Sequence, residues 1–327
     1  MLQNSKPAGR DSKPQVSGKI LRAYKGMEQE IIDLIHEKGP LTGSEIMEFI
    51  GGDGLVLWRT CKLSEDLVIR FVGTRYMRLD RRIKGFARLS PSILREFLTY
   101  SVVGLAKQDT SLSQKAQSVA SHIEMISRAK SELAYSIVSS LADKLESEVP
   151  IQEQVCFIIG GDIVYNMAHD VPRPERSTGR LVNGSDMDLI VVVEDDFPKE
   201  LVERIDEAIY KEKHRLLITP HLREEIDYIV KNLDRIREQI KFETFKHMVA
   251  CKLLHEGAFL YGSGRIFHTI KVMLKEHGVI QKLDALEEKA RDFRRQAESF
   301  LLRGTGSKIQ GERQYLFYPT EESEEFE

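Results

Sequence analysis

Cys156-Phe157-Ile158-Ile159-Gly160-Gly161 and, downstream, Gly184-Ser185-Asp186-Met187-Asp188-Leu189-Ile190-Val191-Val192-Val193 decide how this chain is read. The first is a short apolar run closed by two glycines, the pattern of a buried strand that opens into a tight turn. Ile163, Val164 and Met167 follow at helical spacing, so the turn is expected to feed a helix. Free backbone N–H groups at such a helix start suit a phosphate. In the second stretch Asp186 and Asp188 stand one residue apart, ahead of five consecutive apolar residues. Residues i and i+2 of a strand share a face, so these carboxylates are expected to project together. Side by side they repel, and a hard, oxygen-seeking cation such as Mg²⁺ relieves the repulsion. A phosphate-cradling turn plus a metal-holding carboxylate pair is the outline of a site for nucleotidyl transfer, where two metals clamp the attacking and leaving oxygens.

With these residues the chain resembles the polymerase-β-like nucleotidyltransferase superfamily. The hallmark there is a Gly-Gly or Gly-Ser turn after a strand, an apolar-Asp-apolar-Asp-apolar strand, and a third carboxylate. Gly160, Gly161, Asp186 and Asp188 match it. A second stretch, Leu254-His255-Glu256-Gly257-Ala258-Phe259-Leu260-Tyr261-Gly262, is similar to the helix and Gly-x-x-Leu-Tyr-Gly exit of small bacterial members. The resemblance covers roughly residues 150 to 265. It implies that Asp186 and Asp188 bridge two Mg²⁺ ions, with Mn²⁺ as a substitute. It also implies that Gly160 and Gly161 approach the triphosphate of an NTP and that Ser185 adds a hydrogen bond. One departure is visible: Gly161 and Asp186 lie 25 positions apart, further than in minimal members. The insert from Val171 to Asn183 carries Pro172, Arg173, Pro174, Arg176 and Arg180 and reads as an excursion loop. Its arginines are candidates for neutralising developing charge.

The third carboxylate has two readings. Glu225-Ile226-Asp227-Tyr228-Ile229-Val230 has the apolar-Asp-apolar pattern of a third catalytic strand, which makes Asp227 a metal ligand with Glu225 or Glu224 as alternatives. Yet Leu222, Ile226, Ile229, Leu233, Ile236 and Ile240 also fit one helical face, which makes Asp227 a surface acid.

A chain of 327 residues is long enough for two domains. Apolar content of 41% and charged content of 30% are those of an ordinary globular protein. No apolar run approaches the ~20 residues of a membrane span, and no secretion signal is seen. Cys61, Cys156 and Cys251 are widely scattered, and the histidines show no zinc spacing. A cytoplasmic protein without a membrane partner is expected. The net charge of −3 hides an asymmetry. Residues 1–110 hold 18 Lys+Arg against 13 Asp+Glu, whereas the remainder is acidic. A basic front suggests a polyanionic partner.

In order, residues 1–24 read as a disordered basic arm and 25–105 as a winged helix-turn-helix domain. Met27, Ile31, Ile32, Leu34 and Ile35 give a first helix, and Ser44 caps a second. Leu55 to Cys61 gives a third, and residues 67–80 give two strands about Gly73-Thr74. Arg59 is expected on the groove-entering helix. Arg70, Arg75, Arg78, Arg81 and Arg82 are expected on or near the wing, with Tyr76 among them for stacking. A helix restarts at Ser90-Pro91-Ser92 and runs to about Leu105. Residues 106–150 form a spacer helix, 151–262 the nucleotidyltransferase core, 263–304 further helices, and 305–327 a mobile acidic tail. The expected fold class is α+β: a winged helix, a long spacer, a mixed sheet with flanking helices, and a helical C-terminal region.

The expected function is a Mg²⁺-dependent nucleotidyltransferase moving an NMP from an NTP to a hydroxyl of a nucleic acid, RNA foremost, or of a protein. The alternatives are a nucleotide second-messenger synthase, a small-molecule modifier, and a non-catalytic DNA-binding regulator that senses nucleotide.

Overall fold

The computed structural model describes residues 18–145, 150–175, 177–303 and 316–317. Most of the expected arm, most of the expected acidic tail, and Arg176 lie outside the described residues. The fold is α+β. From the N-terminus run α1 (Gly18–Lys38), β1 (Leu41–Thr42), α2 (Gly43–Ile50), α3 (Gly54–Leu63), β2 (Leu67–Phe71), β3 (Tyr76–Leu79), β4 (Ala87–Ser90), α4 (Ile93–Thr99), β5 (Ser101–Leu105) and α5 (Asp109–Leu145). Then come α6 (Ile151–Gln154), β6 (Val155–Gly160), β7 (Pro172–Pro174), β8 (Leu181–Asn183), β9 (Met187–Val193), α7 (Lys199–Ile218), β10 (Ile226–Asn232), α8 (Leu233–Ile240), α9 (Phe245–Glu256), β11 (Ala258–Gly262), α10 (Gly264–Glu276) and α11 (Val279–Arg303). None of the described helices is long and apolar enough to cross a membrane.

The chain divides into two units. The first gathers residues up to Phe71, Ser92–Ala116 and Arg294–Thr320. Its helix α1 reaches back into the stretch read as an arm. Helix α2 is capped by Thr42 rather than Ser44, because Glu45 stands three residues on and closes a capping box. The Glu45 N–H donates to Thr42 Oγ1 at 3.2 Å and the Thr42 N–H donates to Glu45 Oε2 at 2.6 Å. The sheet has the order β1-β5-β2. Two expectations are corrected here. Strand β2 does not form a hairpin with β3; it pairs antiparallel with β5, Ile69 opposite Val103. Residues 101–105 are that strand, not the end of a helix, since Val102 and Val103 are fully buried. A short apolar run that is buried all round suits a central strand.

The second unit comprises Val72–Pro91 and Gln117–Phe293. The hairpin β3–β4 thus belongs here, inside the stretch read as a single N-terminal domain. Gly73 marks the departure: at φ 96° it lies so close to Met167 that an added Cβ would stand 2.4 Å from Sδ. The main sheet has the order β10-β9-β6-β11. Strand β6 is antiparallel to β9 and β11, and β10 is parallel to β9. A parallel pair needs a crossover connection, which α7 supplies. Alternation assigns the faces. Phe157, Ile159, Leu189 and Val191 enter one core with α5 and α7, while Ile158, Ile190 and Val192 enter another with α8 to α11 and the hairpin β3–β4. The helix expected after Gly161 is only a 3-10 turn, Gly161–Tyr165, stopped by Asn166 in the left-handed region at φ 54°.

Candidate active site

Strand register gathers the site. In β6, β9 and β10, Gly160 lies opposite Asp188, and Asp188 lies opposite Asp227. The segment around Asp227 is therefore a strand and not a helix. Asp186 stands two residues ahead of Asp188 on the same face. One oxygen from each of Asp186, Asp188 and Asp227 lies within 4.8 Å of the others. Three carboxylates at this spacing form an all-oxygen donor set that fits a hard divalent cation. The backbone beside them is equally specific. Gly161 has φ 69°, and a Cβ there would fall 1.9 Å from Asp188 Oδ2.

Asp186 has its pKa raised by burial, with Arg173 opposing and the charges of Asp227 and Asp162 adding to the rise. Arg173 reaches in from β7. Its guanidinium is 2.8 Å from Glu225 Oε2 and 3.4 Å from Asp186 Oδ2. Its Nε donates to the Gly184 carbonyl at 2.7 Å. Glu225 is buried just ahead of β10, and burial lifts its pKa to about 7 despite Arg173. Lys213 of α7 pairs with Asp227 at 2.9 Å. Lys130 of α5, also buried, holds Glu224 and donates to the Asn183 carbonyl at 2.8 Å. Glu224 and Glu225 are thus engaged by Lys130 and Arg173 and stand outside the group of three.

Behind the glycine turn lies Asp162, which sequence reasoning did not single out. Its carboxylate accepts from the Tyr76 hydroxyl and, at 2.8 Å, from Ser185 Oγ. Burial works against its charge, yet Arg78, Tyr76, His169 and Ser185 keep its pKa below the ordinary value. Ser185 is itself buried and also accepts from the His169 N–H at 3.2 Å. Its hydroxyl is thus committed to tying the turn to the start of β9, rather than free for an NTP. Tyr76 stacks on Tyr165 with ring centroids 4.1 Å apart. Lys252 is buried and pairs with Glu256 at 2.9 Å. The signal for Asp162 was present: an acid directly after two glycines, before an apolar residue.

Of the six arginines expected on nucleic acid, Arg59 and Arg78 are buried. Arg59 is 1% exposed, and its guanidinium reaches the Leu302 carbonyl at 3.5 Å. The face of α3 is covered within the first unit by Ala297, Leu301 and Phe317, with Trp58 and Phe317 rings 5.6 Å apart. Arg70 pairs with Asp109 at 2.7 Å. The other four belong to the second unit. Arg78 is buried near Asp162, and Arg75 is half-buried just ahead of β3. Arg82 holds Asp80 at 3.1 Å, and Arg81 lies over the Phe245 ring at 5.0 Å. Arg81, Arg82 and Lys84 are exposed at the tip of the hairpin β3–β4.

Comparison with known proteins finds no matching family model, no matching curated protein and no matching solved structure.

Proposed function

We propose that this chain is a divalent-cation-dependent nucleotidyltransferase. The observation that carries the reading is the convergence of Asp186, Asp188 and Asp227, beside a glycine turn in which Gly161 admits no side chain. Asp186 and Asp188 would hold Mg²⁺ or Mn²⁺, with Asp227 as the third ligand. A cation bound there supplies neutralisation of phosphate oxygens and a lowered pKa for an attacking hydroxyl. The bare backbone of Gly160 and Gly161 lets a triphosphate come close, and Ser185 and Asp162 hold that turn against the start of β9. In the reaction a hydroxyl oxygen gives up its proton to solvent and bonds to the α-phosphorus of an NTP, the bond to the bridging oxygen breaks, and pyrophosphate leaves with that electron pair.

The order β1-β5-β2 with three helices ahead of β2 supports a winged-helix reading of the first unit. Its α3 is covered, so an acceptor strand would meet the exposed Arg81, Arg82 and Lys84 instead. The covered α3 also favours a second reading, a nucleotide second-messenger synthase that needs no macromolecular acceptor. The experiment is transfer from each α-labelled NTP with Mg²⁺, with and without RNA, by wild type and by an Asp186→Ala/Asp188→Ala variant. Aspartate-dependent label in RNA supports the first reading, and label in a small soluble product supports the second. Transfer that ignores the aspartates, or none at all, overturns the enzyme.

A further inference from the structure

We propose that Arg173 is a positioning residue of the carboxylate centre, acting through Asp186 and anchored by Glu225. This rests on the reading of Asp186, Asp188 and Asp227 as a divalent-cation site.

Strand β7 pairs with β8, Arg173 opposite Val182. That pairing brings Arg173 to the segment just ahead of Asp186, where its Nε donates to the Gly184 carbonyl at 2.7 Å. Gly184 is bound to this place, since at φ 66° a Cβ would stand 1.8 Å from the His169 carbonyl oxygen. The outer end of the guanidinium meets Glu225 Oε2 at 2.8 Å and Asp186 Oδ2 at 3.4 Å. One planar cation therefore spans the approach to β9 and the approach to β10, the two strands at whose starts the three aspartates lie. The closer partner is Glu225, which lies outside the group of three, so Asp186 is steered rather than consumed.

Glu225 has a 4% exposed side chain and Arg173 a 25% exposed one. A guanidinium presents several donors in a fixed fork, whereas an ammonium offers one point charge. Both carboxylates are faced by Nη2 alone, as ion pairs, while Nε holds the Gly184 carbonyl, so lysine at 173 could replace one of these two nitrogens but not both. Partners behind metal ligands typically change metal affinity by roughly 10–100-fold when removed. The same scale is expected here. An alternative role, in which the guanidinium repels an incoming cation, has the opposite sign.

The test is a Mn²⁺ titration followed by electron paramagnetic resonance, which reads binding without turnover. Wild type, Asp186→Ala, Arg173→Ala, Arg173→Lys and the double variant Arg173→Met/Glu225→Gln are compared, each with a thermal melt. The double variant removes both charges and so leaves no lone buried carboxylate if Arg173→Ala fails to fold. Expected is loss of binding in Asp186→Ala and weakening by about 10-fold or more in the folded variants at 173, lysine included. Unchanged or tighter Mn²⁺ binding in those variants, with Asp186→Ala still abolishing it, overturns the positioning role and leaves the cation centre standing. Wild type that binds no more Mn²⁺ than Asp186→Ala overturns both.

Discussion

The aspartate ends of β9 and β10 and the arginine-bearing helix α3 are both charged stretches whose spacing suggests a working surface, and they meet opposite fates. In the second unit, Asp188 and Asp227 come together because neighbouring strands are in register. In the first unit, Arg59 is 1% exposed because residues some 240 positions later, around Leu302, lie against it. A strand's alternation is a local rule that places side chains whatever the partner strand is. Which face of a helix stays open is settled by its neighbours, and these need not be close in sequence.

The sharpest way to break this contrast is at Gly161. Gly161→Ala puts a Cβ onto the Asp188 carboxylate, and transfer should fall by about 10²–10³-fold, the scale of losing one oriented electrostatic group. Rate measurements on a variant with an unchanged melting curve check it; wild-type turnover would mean that Asp188 is not held where the site needs it. Next is the cover on α3. Phe317 is fully buried against Trp58, so Phe317→Ala should cost about 3–5 kcal/mol in denaturant unfolding of the first unit. A cost near zero would return α3 to the surface.

A smaller effect belongs to the insert. Glu175 is buried, which disfavours its charge, but the hydroxyls and N–H groups of Ser177 and Thr178 hold its pKa down to about 2. A folded pKa below the ordinary 4.5 adds stability above that pH, and the gain is lost as pH falls toward 2. Glu175→Gln should remove about 2 kcal/mol at neutral pH and flatten the acid limb of a stability-versus-pH curve. Tyr76→Phe deletes one hydroxyl donor to half-buried Asp162 and should cost about 1–3 kcal/mol. The least effect is expected for the basic residues. Arg81→Ala and Lys84→Ala should each lower the salt slope of RNA binding by about one, while Arg59→Met leaves that slope unchanged.

Much of the site was legible because its geometry repeats every two residues. The glycine pair and the Asp-x-Asp strand start fall where the alternation puts them. Asp227 needed its neighbour, for its apolar residues fit a helix face as well as a strand, and only pairing with β9 separates the two. The front half was less legible for a related reason. The turn at Gly73-Thr74 reads as a hairpin between sequence neighbours β2 and β3, but β2 takes β5 as partner after a 29-residue excursion. Local turn chemistry at Gly73-Thr74 is the same whether the chain returns to β2 or leaves for Met167.

By itself the sequence determined the α+β class, the strand that closes at Gly160, the strand that starts beside Asp186 and Asp188, and the presence of the three helices α1 to α3. These follow from apolar periodicity, turn glycines and side chains that satisfy nearby backbone groups, all short-range effects. The tertiary structure alone decided which charges are free. It sent Arg59 into a core, fastened Arg173 between Gly184, Glu225 and Asp186, and set Asp162 under Tyr76. The cost of a buried charge depends on the partner that meets it, and that partner is brought by folding from anywhere along the chain.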